Sequence, residues 1–307
     1  MDLRVNLGRL KLKNPVTTAS GTFGYGKEFE DIVALDKLGA VITKTITRLR
    51  RPGNPPPRLT ETAAGILNAI GLQNEGLDDF IKNKLPQLKA VKTKLIVSVS
   101  ATDEDDFVYC VQRLEEAGVE AVELNLSCPN IKYSTGVNAG KKMFAQDAQA
   151  ASALVAGIRK HVKLVLITKL SPNVTDITQI ARAVEDAGTD AVSLINTFSA
   201  MAIDIKTMRP KLANITGGLS GPAIKPVAVR MVYEVARAVK VPVLGMGGIM
   251  NAEDALEFIL AGATAVSVGT ANFVNPRACP DIINGLVSYC KNKKISSIKD
   301  IIGGVKV

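Results

Sequence analysis

Residues 125–130 read Asn-Leu-Ser-Cys-Pro-Asn and follow the strand-like run Ala121-Val122-Glu123-Leu124 without a break. Cys128 therefore stands at the carboxyl end of a buried strand, between Asn125 and Asn130. Each amide offers a carbonyl and an NH2 group, so the pair can hydrogen-bond a small polar ligand in both senses. A thiol beside such a ligand can exchange a proton with it where the surroundings favour the thiolate. The same cysteine also suits plain packing, because free Cys is among the most buried residue types. Other apolar runs end on chemistry-bearing residues too: Ser20, Lys44 with Thr45, Ser98, Lys169, and Asn196 with Thr197. Any one of these reads equally well as a strand-end surface residue. Two lysines and three asparagines around one rim read as a site.

The elements that must position them are short β-branched runs at 16–20, 40–44, 95–100, 121–127, 164–170, 191–197, 242–248 and 265–271. Helical patterns lie near 27–38, 76–91, 103–117, 146–160, 175–187, 222–239, 252–261 and 280–291. Eight strand–helix alternations favour a closed (β/α)8 barrel, an α/β fold, over an open sheet. An internal echo agrees. The segments 116–124, 186–194 and 260–268 each end a helix at Ala, turn on Gly and re-enter a strand through Ala-Val. Glycine after a helix supplies the left-handed residue that stops it. Arg4–Lys13 alternates around Gly8 and reads as a hairpin closing the barrel floor. Two connections are long, 45–75 and 198–221, and the first holds Pro52, Pro55, Pro56 and Pro57. That insert suits a stiffened loop over the active face better than a polyproline ligand for another protein.

Length and composition bound the rest. A chain of 307 residues fits one large barrel or two ordinary domains, and the alternation favours one barrel over 1–307. Trp is absent and aromatics are 4%, so the core is aliphatic, as in a parallel sheet buried on both faces. No apolar run approaches the roughly 18 residues that cross a bilayer. Arg4, Arg9 and Lys11 interrupt any signal-peptide core, and the expected location is cytoplasmic. The four cysteines form no C-x-x-C and His161 is the only histidine, so no zinc or iron–sulfur ligand set is visible. Cys110, Cys279 and Cys290 read as packed thiols. The net charge of +9 lacks basic runs interleaved with aromatics, so it speaks for a solvated face and a pull on anions, not for nucleic acid.

Gly245-Met246-Gly247-Gly248, Asn251 at a helix start, and Gly269-Thr270 suit phosphate capture by backbone N–H groups. Barrels commonly place that site after strands seven and eight, although glycines there also serve tight strand–helix packing. A lysine inside the rim then has to face developing negative charge, such as the N1–C2=O edge of a flavin on two-electron reduction. FMN fits a chain in which no G-x-G-x-x-G follows an early strand.

Six blocks, in order, carry a resemblance over about residues 3–300. They are Ala-Ser-Gly-Thr-Phe-Gly (19–24), Asn-Ala-Ile-Gly-Leu-Gln-Asn (68–74), Asn-Leu-Ser-Cys-Pro-Asn (125–130), Lys-Leu-Ser-Pro-Asn-Val-Thr (169–175), the run 213–226, and Gly-Met-Gly-Gly-Ile (245–249). On these the chain resembles the class 1 dihydroorotate dehydrogenases. The spelling at 68–74 and 213–226 is similar to the NAD-linked class 1B catalytic subunits. The resemblance implies that Lys44, Asn68, Asn125, Asn130, Asn196 and Thr197 hold orotate or dihydroorotate, with Ala69, Ile70, Gly71 and Leu72 lining the pocket through their backbone. It implies that Ser20, Lys44, Thr45, Ser98, Asn125, Lys169, Ile195, Gly221, Gly247, Gly248, Gly269 and Thr270 hold one FMN, and that Cys128 is the catalytic base. It further implies a homodimer flanked by two partner subunits that carry FAD and a [2Fe-2S] cluster, a heterotetramer. Two departures stand out: Ser98 replaces a frequent Asn, and the loop at about 131–146 is longer than usual.

The implied chemistry removes a proton from C5 of dihydroorotate and a hydride from C6. An unperturbed thiol has a pKa of about 8.5, so activity should rise on the alkaline side of neutral. The loop 129–141, with Gly136 and Gly140, is expected to close over the site. Competing readings are a dihydrouridine synthase acting on RNA, the fumarate-using class 1A enzyme, and a non-catalytic barrel that stores or senses FMN. The first lacks an RNA-binding extension here, the second shares the site, and the third leaves Cys128 and both lysines without a task.

Overall fold

Eight short parallel strands close on themselves. They are Val16–Thr18 (β1), Ala40–Ile42 (β2), Lys94–Val99 (β3), Ala121–Asn125 (β4), Val165–Lys169 (β5), Ala191–Leu194 (β6), Val243–Met246 (β7) and Ala265–Val268 (β8). Each pairs with its sequence neighbours and β8 pairs with β1, giving a closed (β/α)8 barrel. The structure is a computed structural model that describes residues 1–126 and 144–306. Nearly every strand residue is buried, because helices cover the outer face and side chains fill the inside.

The helices form for reasons visible in the chain. Asp103 caps Glu104–Glu116 by accepting from the Asp106 N–H, and Asp147 caps Ala148–Arg159 through the N–H groups of Gln149 and Ala150. Asp176 and Asn251 do the same for Ile177–Asp186 and Ala252–Ala261. Such caps satisfy N–H groups that have no partner inside the helix. The three echoed glycines behave as expected: Gly118, Gly188 and Gly262 take φ of 77°, 93° and 123° at helix ends. Val5–Leu7 and Leu10–Leu12 form the expected hairpin around Gly8.

One expectation is corrected and two are refined. The segment 27–38 is not a helix; it makes only two 3-10 turns, Lys27–Phe29 and Leu35–Lys37. Val33, Leu35 and Leu38 pack inward and Phe29 stacks on Phe23 at 4.1 Å, but Gly24 and Gly26 at positive φ break the helical path just before it. The helix near 76–91 runs over Leu77–Lys89 with a π turn at Phe80–Lys84, just before Pro86, whose ring cannot donate to a helical carbonyl. The first insert, expected as a stiffened loop, and the second both carry strands. Leu59–Thr62 and Gly65–Asn68 form a hairpin from the first, and Phe198–Met201 and Thr216–Ser220 a pair from the second. Gly65–Asn68 pairs with Thr216–Ser220, so both inserts join in one four-stranded antiparallel sheet.

Candidate functional site

A cavity of about 460 Å3 opens at the carboxyl ends of the strands, between the barrel and that insert sheet. This is a volume suited to a small ligand or cofactor, and barrels of this type carry their sites at this face. Of the sequence-predicted residues, Ser20, Lys44, Thr45, Asn68, Ile70, Gly71, Leu72, Asn125, Lys169, Ile195, Asn196, Thr197, Gly221, Gly247, Gly248, Gly269 and Thr270 all line it. Ala69 does not; it is fully buried against Leu67 and Leu212 in the insert sheet. Ser98 does not line it either, since it is fully buried beneath the wall. Cys128, Asn130 and nearly all of the expected lid lie outside the described residues.

Strand register explains the convergence. In a parallel pair, residues in register point to the same side, and alternate residues along a strand share a face. Ser98 lies beside Glu123, Asn125 beside Lys169, and Lys169 beside Ser193. These polar residues therefore all point into the barrel. Lys169, only 4% exposed, forms the cavity floor: its ammonium donates to Ser20 Oγ at 3.0 Å and lies 3.5 Å from Glu123 Oε1. Glu123 itself is fully buried and accepts from Ser98 Oγ at 3.3 Å and Ser193 Oγ at 3.0 Å.

A directed chain of hydrogen bonds follows from counting protons. The Ser98 hydroxyl donates to Glu123, so in its 2.9 Å contact with Thr45 the Thr45 hydroxyl is the donor. Thr45 Oγ1 accepts from Asn125 Nδ2 at 3.3 Å, and Asn125 Oδ1 accepts from Asn196 Nδ2 at 3.4 Å. The buried carboxylate thus sets the orientation of two amides in the cavity wall, an assignment made by the network itself. The sequence reading missed Glu123. Its signal was present: a charge in an apolar strand, two residues before Asn125 and so on the same face.

The other lysine sits in a different field. Lys44 is half-buried, and burial, followed by the positive charge of Arg58, holds its pKa below the usual lysine value, with Glu28 and Glu75 pulling back. Arg58 also lines the cavity and donates to Gln73 Oε1 at 2.5 Å. It was not anticipated, and nothing in its local sequence marks it beyond the prolines that precede it. Two cations at one wall suit an anionic ligand.

The third part is backbone. Gly247 and Gly248 follow β7 at φ of 123° and 83°. A Cβ on Gly248 would meet Lys225 Cβ at 2.7 Å and the Gly221 carbonyl oxygen at 2.9 Å. Gly269 and Thr270 follow β8, and Thr270 Oγ1 donates to Ser220 Oγ at 2.8 Å. At Gly21 a Cβ would meet nothing within 4 Å, so the cavity is open to bare backbone there. Glycine-lined backbone after the last two strands is the arrangement that admits a phosphate in barrels. The remaining described cysteines are away from this chemistry: burial pushes the Cys110 and Cys279 thiols up to about 12. Among the described residues no His, Cys, Asp and Glu cluster could hold a metal ion, and no helix is long and apolar enough to cross a membrane.

Fold and site together define a (β/α)8 barrel with a polar, cation-floored cavity at its carboxyl-end face. The family model for dihydroorotate dehydrogenase matches residues 2–289, and the chain belongs to that family. It is 52% identical to the dihydroorotate dehydrogenase B (NAD(+)) catalytic subunit of Lachnoclostridium phytofermentans, over 306 residues and 100% of both chains. It is 53% identical to the protein of that name from Trichlorobacter lovleyi, over 99% of this chain and 98% of the relative, and 51% identical to that of Phocaeicola vulgatus, over 100% and 99%.

Proposed function

We propose that this chain is the FMN-bearing catalytic subunit of an NAD-linked dihydroorotate dehydrogenase, oxidising dihydroorotate to orotate for pyrimidine synthesis. The observation that carries the reading is the cavity, with Lys169 on its floor, Lys44 and Arg58 on one wall and glycine backbone after β7 and β8. The names of the full-length relatives support it. These residues fit FMN: Gly247, Gly248, Gly269 and Thr270 for the phosphate, with Ser20, Thr45, Ile195, Gly221 and Lys169 around the ring. Bound there, FMN supplies the acceptor for the C6 hydride of the substrate. Lys44 pairs with the substrate carboxylate, while Asn68, Asn125, Asn130, Asn196, Thr197 and the backbone of Ile70–Leu72 hold the pyrimidine ring. Cys128, three residues beyond Asn125, takes the C5 proton, which its neighbouring carbonyl acidifies. Ser98 acts from behind the wall, by orienting Thr45. A homodimer flanked by two FAD and [2Fe-2S] subunits, in the cytoplasm, completes the reading.

Acid release of flavin from the purified protein, with rapid-mixing reduction by dihydroorotate, tests it. FMN should be found at about one per chain, and Cys128→Ala should keep FMN and orotate binding while losing about 100- to 10,000-fold in reduction rate. FAD alone, or no flavin, would refute the cofactor assignment. An alanine variant that reduces at the wild-type rate would make Cys128 structural.

A further inference from the structure

Glu123 is a buried acid whose closeness to the Lys169 ammonium the chemistry above does not use. Among the described residues only one other acid, Asp254, is buried, and it pairs with Lys225 at 2.6 Å near the start of Ala252–Ala261. Glu123 instead stands inside the barrel, fully buried, one layer below the cavity. A carboxylate there is costly to keep ionised unless it is paired and hydrogen-bonded. Both conditions are met: the Lys169 ammonium lies 3.5 Å from Oε1, and the Ser98 and Ser193 hydroxyls donate to Oε1 and Oε2. Among the described residues Lys169 is the only cation within 4 Å of it.

The pair has a consequence for whatever sits above it. A lone ammonium at the floor of a dry cavity would stabilise any negative charge placed over it, strongly and without return. With a carboxylate directly beneath, the same ammonium presents the positive end of a dipole, and its field is partly offset. We propose that Glu123 is a positioning residue that tempers Lys169, fixing the ammonium at the floor and offsetting part of its charge, so that a flavin there is readily reduced yet still gives up its electrons. The inference rests on the reading of Lys169 as the cation facing the flavin. It is carried by the buried geometry of Glu123, Ser98, Ser193 and Lys169.

The test is the midpoint potential of the FMN-loaded protein, measured by spectroelectrochemical titration. Lys169→Ala should lower the potential, because charge gained on reduction loses its cation. Glu123→Gln should raise it, favouring the reduced form by about tenfold, which is about 30 mV for a two-electron couple. Glu123→Asp keeps the charge but withdraws it from Lys169, and should give a smaller rise. In a Lys169→Ala background Glu123→Gln should change little, since the proposed effect is exerted through the ammonium that this background lacks. A lower potential in the glutamine variant would mean that Glu123 merely props Lys169 in place, and would overturn the proposal. An equal shift in both backgrounds would overturn it as well. If the glutamine variant fails to hold flavin, the aspartate variant decides, with a fall or no shift counting against the proposal. An unchanged potential in Lys169→Ala is the separate result that would refute the flavin-facing reading of Lys169 itself.

Discussion

At the scale of single residues, the two cavity lysines stand in different fields, set by different neighbours. Lys169 is nearly buried with a carboxylate beneath it, whereas Lys44 is half-buried with Arg58 as its charged neighbour. Burial and Arg58 both lower the pKa of Lys44, so it loses its charge earlier than an ordinary lysine as pH rises. Affinity for orotate should therefore fall as pH rises, and at a lower pH than an ordinary lysine would set. Arg58→Gln should move that fall to higher pH, because it removes the like charge. Lys44→Ala should weaken orotate binding by about 1.5–3 kcal/mol, the usual worth of a hydrogen bond to a charged group. Flavin difference spectra titrated with orotate across pH give all three numbers. An unmoved alkaline limb in Arg58→Gln would show that the two cations do not sense each other. Most lining residues were legible in the sequence because a polar group at the end of an apolar strand has few other reasons to be there. Arg58 was not, and Glu123, beneath the wall, left only a charge in an apolar strand as its mark. Glu123 lies inside a strand, where its partners come from β3, β5 and β6, and Arg58 owes its place to the fold of an insert.

Among the elements, the strands read well because a sheet buried on both faces leaves unbroken aliphatic runs. Their ends read too long: 191–197 stops at Leu194 and 16–20 at Thr18. The surplus residues are those that leave the ladder and turn into the cavity, Ile195, Asn196, Thr197 and Ser20 among them. The insert sheet was illegible because its pairing joins Gly65–Asn68 to Thr216–Ser220 across about half the chain, and local pattern carries no information on such partners. The turns after β7 offer a contrast that separates fold from site. Gly248→Ala places a Cβ 2.7 Å from Lys225 Cβ at a φ of 83°, and Gly262→Ala places one 2.5 Å from Ala236 Cβ at 123°. Both should lose about 1–3 kcal/mol of stability through strain and overpacking. Only Gly248→Ala should also release FMN more easily, since only Gly248 lines the cavity. Thermal melts with and without added FMN, beside flavin dissociation rates, make the comparison. Equal flavin loss in both variants would show that the β7 turn holds no phosphate.

For the whole molecule the open matter is where the electrons go. The chain carries four cysteines with no C-x-x-C pair, and no G-x-G-x-x-G follows an early strand, so it presents neither an iron–sulfur ligand pattern nor a dinucleotide fingerprint. Yet its full-length relatives are named as NAD(+)-linked catalytic subunits, wording that places them within larger assemblies. Both facts hold together if NAD is reduced on another polypeptide. Apolar surface for contacts exists at each end of the carboxyl face. Ile203, Ile205 and Met208 are 55%, 87% and 86% exposed on the second insert, and Phe273 and Val274 are 54% and 71% exposed beside the cavity. Of these only Phe273 touches the cavity itself, on the β8 side. The isolated chain, loaded with FMN, should thus reduce an artificial dye rapidly on addition of dihydroorotate and reduce NAD hardly at all. Adding the FAD and iron–sulfur subunit should restore NAD reduction, and Phe273→Asp should weaken that restoration about tenfold or more while leaving dye reduction within about twofold, as expected for an apolar anchor at an interface. Steady-state rates with dye, NAD and fumarate, each with and without the partner, decide among the alternatives. Fast fumarate reduction by the chain alone would move it to the fumarate-using class, and efficient NAD reduction without a partner would break the argument from its missing motifs.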